Sequence, residues 1–100
     1  MIQALWQNTV IAQTDTFETV EGNRYFPAAA LDMRYFKPSQ TVSNCPWKGQ
    51  ASYYHVVVGD QVNKDAAWFY PSPKSAAANI AGHVAFWRGV EVREVASTAK

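Results

Sequence analysis

The chain has 100 residues, 48% of them apolar and 17% charged, with a formal net charge of +1. This is the size of one domain, 1–100, apolar enough for a single core and unlike a disordered or fibrous chain. Basic residues form no block, which argues against duplex nucleic acid as a partner, and no apolar run approaches the roughly 20 residues of a membrane span.

Gly and Pro punctuate the chain every few residues, which suits short strands and not long helices. Residues 9–12 and 17–20 read as two strands around a polar turn at 13–16. Glu21-Gly22-Asn23 reads as the next turn, since Gly and Asn tolerate positive φ. Pro27 and three alanines predict one or two helical turns within 27–36, ended by Lys37-Pro38-Ser39. Residues 41–43 read as extended and 44–49 as a loop. Residues 52–58, two tyrosines followed by His55 and three valines, give the strongest strand pattern. Gly59-Asp60 turns it, 61–62 resume an extended path, and 66–70 form a strand stopped by Pro71 and Pro73. Ser75–Ile80 reads as a helical turn. Residues 82–88 and 90–95 read as the last two strands, with a frayed tail at 96–100. The sum is an all-β, compact, mostly antiparallel domain with one or two short helices, closed as a partly open barrel or a pair of packed sheets.

Three blocks carry a family resemblance. They are Val20-Glu21-Gly22-Asn23-Arg24-Tyr25-Phe26-Pro27, Cys45-Pro46-Trp47-Lys48-Gly49-Gln50-Ala51-Ser52-Tyr53-Tyr54, and Ala66-Ala67-Trp68-Phe69-Tyr70-Pro71-Ser72-Pro73, the last followed by Val84-Ala85-Phe86-Trp87. Over about residues 4–95 the chain resembles the small bacterial and fungal family called domain of unknown function 427, which also carries the label nucleotidyltransferase domain. The resemblance implies a small all-β fold similar to the β-tent proteins, such as methionine sulfoxide reductase B and the cereblon ligand-binding domain. Proteins of that group often hold a structural zinc in paired CxxC motifs. With a single cysteine, this chain departs from that pattern.

Two residues are candidates for catalysis. Cys45 is a nucleophile if a cation such as Lys48 lowers its pKa, and otherwise a small buried hydrophobe. Lys48, within Trp47-Lys48-Gly49, is an anion contact at a ligand edge or a solvated loop lysine; the glycine-rich run of a phosphate loop is missing. Strand alternation puts Tyr53 and His55 on one face and Tyr54 on the other, and Trp68 and Tyr70 on a shared face. If the strand holding Phe86 and Trp87 lies alongside, Trp68, Tyr70 and Trp87 line an aromatic cup; otherwise they are ordinary core. Lys74, held by the stiff Pro71-Ser72-Pro73 turn, is a candidate at its rim. Asn23 and Tyr25 flank the earlier turn, where Arg24 and Glu21 are placed to pair. His55 and His83 show no metal-ligand spacing. Cys45 has no partner for an internal disulfide, and the amino terminus lacks the pattern of a signal peptide.

The expected function is therefore binding of a small planar or anionic molecule by Asn23, Tyr25, Trp47, Lys48, Tyr53, Trp68, Tyr70, Lys74 and Trp87. No cofactor, metal, nucleic acid or membrane is expected, and the expected setting is the cytoplasm. Two alternatives stand beside it: an enzyme, such as a transferase using Cys45 or Lys48, and an interaction protein that forms a homo-oligomer.

Overall fold

Tight turns set the plan of this chain, because several of its turn residues adopt backbone angles that most residues avoid. The computed structural model describes residues 1–96. Strands β1 (Ile2–Trp6) and β2 (Thr9–Thr14) are joined by Gln7 and Asn8, at φ 51° and 59°. Positive φ at both central positions is the type I′ turn, whose twist matches that of the strands it joins. Strands β3 (Glu18–Val20) and β4 (Asn23–Pro27) are joined in the same way by Glu21 and Gly22, at φ 55° and 80°. Two 3-10 turns follow, Ala28–Ala30 and Met33–Tyr35, and the Asp32 carboxylate caps the second by accepting from the Arg34 N–H. Strands β5 (Phe36–Cys45), β6 (Gly49–Val58) and β7 (Gln61–Phe69) then form a meander. A 3-10 segment, Ser75–Ile80, leads into β8 (His83–Phe86) and β9 (Glu91–Glu94).

Every strand pair is antiparallel, and the strands form two open sheets, β2-β1-β9 and β3-β4-β8-β7-β6-β5. The architecture is thus the all-β one expected, as packed sheets and not as a closed barrel. No helix among the described residues is long and apolar enough to cross a membrane.

Four local expectations change. β1 has no counterpart among the predicted elements; its partners are β2 and the distant β9, with Ile2 opposite Thr14 on one side and Glu94 on the other. Lys37-Pro38-Ser39 does not end a segment but lies inside β5, where Pro38 is tolerated because β5 is an edge strand. The loop expected over 44–49 shrinks to Pro46-Trp47-Lys48, since β5 runs to Cys45 and β6 starts at Gly49. Residues 61–62 and 66–70 join into the single strand β7 through an irregularity at Asp65, which has φ 54°. Of the predicted tail, residues 97–100 lie outside the described residues.

The large sheet is buried on both faces along its middle strands. Ile2, Ala4, Ile11 and Ala12 of the small sheet pack against Phe26, Phe36, Val56, Val84 and Phe86 of the large one. Neighbouring residues in the same strands enter a second cluster: Tyr25 beside Phe26, Ala85 beside Phe86, and Trp68 beside Phe69. Ala77 and Ile80 of the 3-10 segment cover that second face. Phe26, wholly buried, meets Phe86 edge-on with ring centroids 5.2 Å apart, at the junction of the two sheets. Truncating it by Phe26→Ala is expected to lower the unfolding free energy by about 3–5 kcal/mol in urea titrations, the cost of a large cavity in a close-packed core.

Candidate functional site

A cleft of about 140 Å³ opens on the second face of the large sheet, lined by Lys48, Tyr53, Trp68, Tyr70 and Trp87. Sheet register assembles it from three adjacent strands. Tyr53 of β6 lies opposite Trp68 of β7, and Trp68 lies opposite Ala85 of β8. Trp87 follows β8 directly, held by a 3.0 Å bond from its backbone N–H to the Ala66 carbonyl. Trp68 and Trp87 meet edge-on, with centroids 5.5 Å apart and planes at 72°. Tyr53 and Trp87 are closer to parallel, at 30° with centroids 6.5 Å apart.

Most polar tips of these rings are already committed to the protein. Trp68 donates its indole N–H to the Tyr25 hydroxyl at 3.2 Å, and the Tyr53 hydroxyl bonds the Ser43 hydroxyl at 2.8 Å. Trp87 donates its indole N–H to the carbonyl of Asp65 in a close contact. Tyr25 is wholly buried, so it acts behind the cleft as the anchor of Trp68 and not as a wall. Burial raises the pKa of both Tyr25 and Tyr70 above the ordinary phenol value, which keeps both protonated.

Lys48 is the one buried charged residue among the described residues, 7% exposed. Its ammonium pairs with Glu21, which the β3–β4 turn presents from its left-handed position. The ammonium also sits 5.1 Å from the Trp47 ring centroid and 5.7 Å from that of Tyr70. Burial acts to lower the Lys48 pKa, but the Glu21 hydrogen bond and the nearby Tyr70, Tyr25 and Cys45 outweigh it, so the net shift is upward. Glu21 shifts down, chiefly through the hydrogen bond from Lys48 and against a desolvation effect. The turn carrying Lys48 is clamped from 72–74: the Lys74 N–H donates to the Lys48 carbonyl at 2.9 Å, and the Lys74 ammonium to the Pro46 carbonyl at 2.7 Å. A Cβ at Gly49 would stand 3.4 Å from the Ser72 carbonyl, and φ there is +114°, so glycine suits both the angle and the close approach.

The wall at Trp87 depends on a second cluster. Pairing shifts register between Pro38 and Val42 on one side of β6 and between Tyr54 and Val56 on the other. In this region the Asp65 carboxylate accepts from Ser39 at 2.6 Å and Thr41 at 2.8 Å, and lies 3.6 Å from His55 Nδ1. The Asp65 backbone N–H donates to the same His55 nitrogen at 3.1 Å. These bonds hold a non-glycine residue at φ 54°, with its carbonyl bonded to Trp87. The Ser39 hydroxyl leads in holding the Asp65 carboxyl below its ordinary pKa, with desolvation opposing and Thr41 adding to the shift.

The sequence matches the family described as Domain of unknown function (DUF427) over residues 1–97. The chain belongs to the DUF427 family. No curated protein matches it.

In this DUF427 domain, five of the residues singled out from sequence line one cleft: Lys48, Tyr53, Trp68, Tyr70 and Trp87. Trp47, 38% exposed, stands over the Lys48 ammonium. Cys45 is half-buried beside the second cluster. Tyr25 lies behind the cleft, and Lys74 is spent on clamping the 46–48 turn. Asn23 lies elsewhere, lining a separate concavity of about 330 Å³ with Gly22, Arg24 and Phe86. The expected Arg24–Glu21 pair is not formed: Arg24 sits 5.8 Å over the Phe17 ring, and Glu21 takes Lys48. Of the two residues that matter most behind the lining, Glu21 was legible as a turn residue placed to pair with Arg24, and Asp65 fell between the strands expected at 61–62 and 66–70. Among the described residues, no three of His, Cys, Asp or Glu converge as metal ligands would.

Two outcomes are expected. Glu21 makes its full contribution to stability above its ordinary pKa of 4.5 and loses it as pH falls through the lowered value. Lys48 makes its full contribution below 10.5 and loses it as pH rises through the raised value. Urea midpoints of Glu21→Gln should therefore fall less steeply than those of the wild type between about pH 5 and about pH 2. Separately, Asp65→Ala removes the carboxylate that Ser39 and Thr41 bond. It should cost about 1–3 kcal/mol of stability and shift the Trp87 indole N–H resonance; an unmoved resonance would show that Trp87 is held without it.

Proposed function

We propose that this domain binds a small molecule through a single planar ring seated in the cleft between Tyr53 and Trp87. The observation that carries this reading is the relation of those two rings. A flat ring packed between two others needs two carbon–carbon separations of about 3.5 Å each, roughly 7 Å between the outer rings. The Tyr53 and Trp87 centroids stand 6.5 Å apart at a 30° tilt, just under that span, so a ring enters as the two side chains spread slightly, with Trp68 edge-on to Trp87. The volume favours one ring over a fused system: an apolar cavity of about 150 Å³ accepts benzene, and this cleft is about 140 Å³.

A larger concavity of about 490 Å³, where Trp6 is the single aromatic beside Leu5, Gln7, Asn8, Glu91 and Arg93, lies across the end of the small sheet. It lacks the convergence of ring faces with a few placed polar groups that marks small-molecule sites, so the aromatic cleft is the better candidate. Lys48 fits the binding reading better than the enzymatic one. Its raised pKa and its partner Glu21 keep it an ammonium, which binds an anion but is no nucleophile.

Thermal unfolding against a panel of one-ring phenyl, pyridine and pyrimidine compounds tests this. A true ligand at a hundredfold excess over its Kd should stabilise the fold by about 2.7 kcal/mol. Trp87→Ala should remove the effect, and Val10→Ala on the small sheet should not. A shift that survives Trp87→Ala would move the site elsewhere.

A further inference from the structure

The hydrogen-bond donors left over in the cleft select the charge of its ligand. The indole N–H groups of Trp68 and Trp87 and the hydroxyl of Tyr53 all have protein partners. Two groups remain open. The Lys48 ammonium carries three N–H donors, and among the described residues its hydrogen-bonded acceptor is the single carboxylate of Glu21. That ammonium belongs to a side chain only 8% exposed, and the cleft is the space it borders. Tyr70 is 6% exposed, and its hydroxyl makes no hydrogen bond within the described residues. The hydroxyl is not sealed in the interior either, since no fully buried side-chain polar atom there lacks a partner. Both open groups are donors, because burial keeps the phenol protonated and Glu21 keeps the amine charged.

The ring faces point the same way. An aromatic box can hold a cation against its π-faces. Here the rings of Tyr70 and Trp87 each already carry one of the protein's own cations on one side. Lys48 lies over Trp47 and Tyr70, and the Arg88 guanidinium lies 4.6 Å from the Trp87 centroid. A cationic ligand would meet Lys48 and Arg88 as like charges. An anion would meet two free donors.

We infer that the ligand is a planar single-ring acid whose carboxylate is held by the Lys48 ammonium and the Tyr70 hydroxyl. This rests on the cleft being a ring-binding site and adds the ligand's charge and anchoring group. The ring occupies the Tyr53–Trp87 gap, and its carboxylate shares the ammonium with Glu21, which is half exposed at the turn.

Benzoate, benzyl alcohol and benzyltrimethylammonium are the probes, titrated into the full chain with the indole and amide N–H resonances as the readout. Benzoate should bind tightest. Tyr70→Phe keeps the ring and removes only the donor, and should weaken benzoate about tenfold while leaving benzyl alcohol unchanged. Lys48→Met should abolish the preference for the acid. Glu21→Gln removes the competing carboxylate and should tighten benzoate severalfold, an effect opposite in sign to the other two. Tighter binding of the ammonium probe, or a benzoate affinity that Tyr70→Phe and Lys48→Met both leave unchanged, overturns the inference while the cleft remains a ring site. If none of the probes perturbs the Trp68 and Trp87 resonances, both this inference and the binding reading fail.

Discussion

The middle strands of the large sheet are covered on both faces, and most of the structure follows from that. A strand buried on one side can send alternate residues to water. β4, β8 and the second half of β7 cannot where both layers cover them, so consecutive residues there are both apolar or aromatic: Tyr25 with Phe26, Trp68 with Phe69, Ala85 with Phe86. Tyrosine and tryptophan bring polar tips into this environment, and a buried tip without a partner is costly. The Trp68–Tyr25 bond is the direct result, joining two strands through side chains inside the second cluster. Where the covering layer ends, the same aromatics become walls, and the cleft is the unfinished edge of that doubly covered region.

The Lys48–Glu21 pair shows a related constraint. A nearly buried ammonium needs an opposite charge or a set of acceptors. The carboxylate that meets it comes from a turn residue at φ 55°, a backbone angle usually left to glycine or asparagine. The β3–β4 hairpin thus accepts local strain, and the turn between β5 and β6 keeps its cation in place. Lys74 bonds the carbonyls of that second turn, and Gly49 lets the 72–74 backbone approach it closely, so the turn is held from one side while its amine is met by Glu21 from another. Asp65 does the same for Trp87: its carboxylate is tied to β5, its N–H to β6, and its carbonyl to the indole.

Much of the β character was legible because it is written in short-range terms. The valine run in β6, the Gly59 turn and the alternation of Tyr53 with Tyr54 each depend on residues within a few positions of one another. The aromatic cup was also partly legible, since alternation put Trp68 and Tyr70 on one face and the order of elements put Trp87 close by. What misled was local chemistry read without its neighbours. Pro38 looks like a terminator until β5 is seen to be an edge strand. Asn63-Lys64-Asp65 looks like a break until His55, Ser39 and Thr41 supply its hydrogen bonds. Arg24 looks like the partner of Glu21 until the fold brings Lys48 closer.

The sequence by itself determined the class of fold, the family, and which side chains were available to build a site, because composition, periodicity and motif order are properties of the chain alone. Tertiary structure decided that β9 leaves its neighbour β8 to pair with β1, that Asn23 and Lys74 stay out of the cleft, and that Lys48 is buried and paired. Each of these turns on which distant segments share a strand edge or a low-dielectric pocket. Local sequence does not encode that, because the energies involved exist only once both partners are in place.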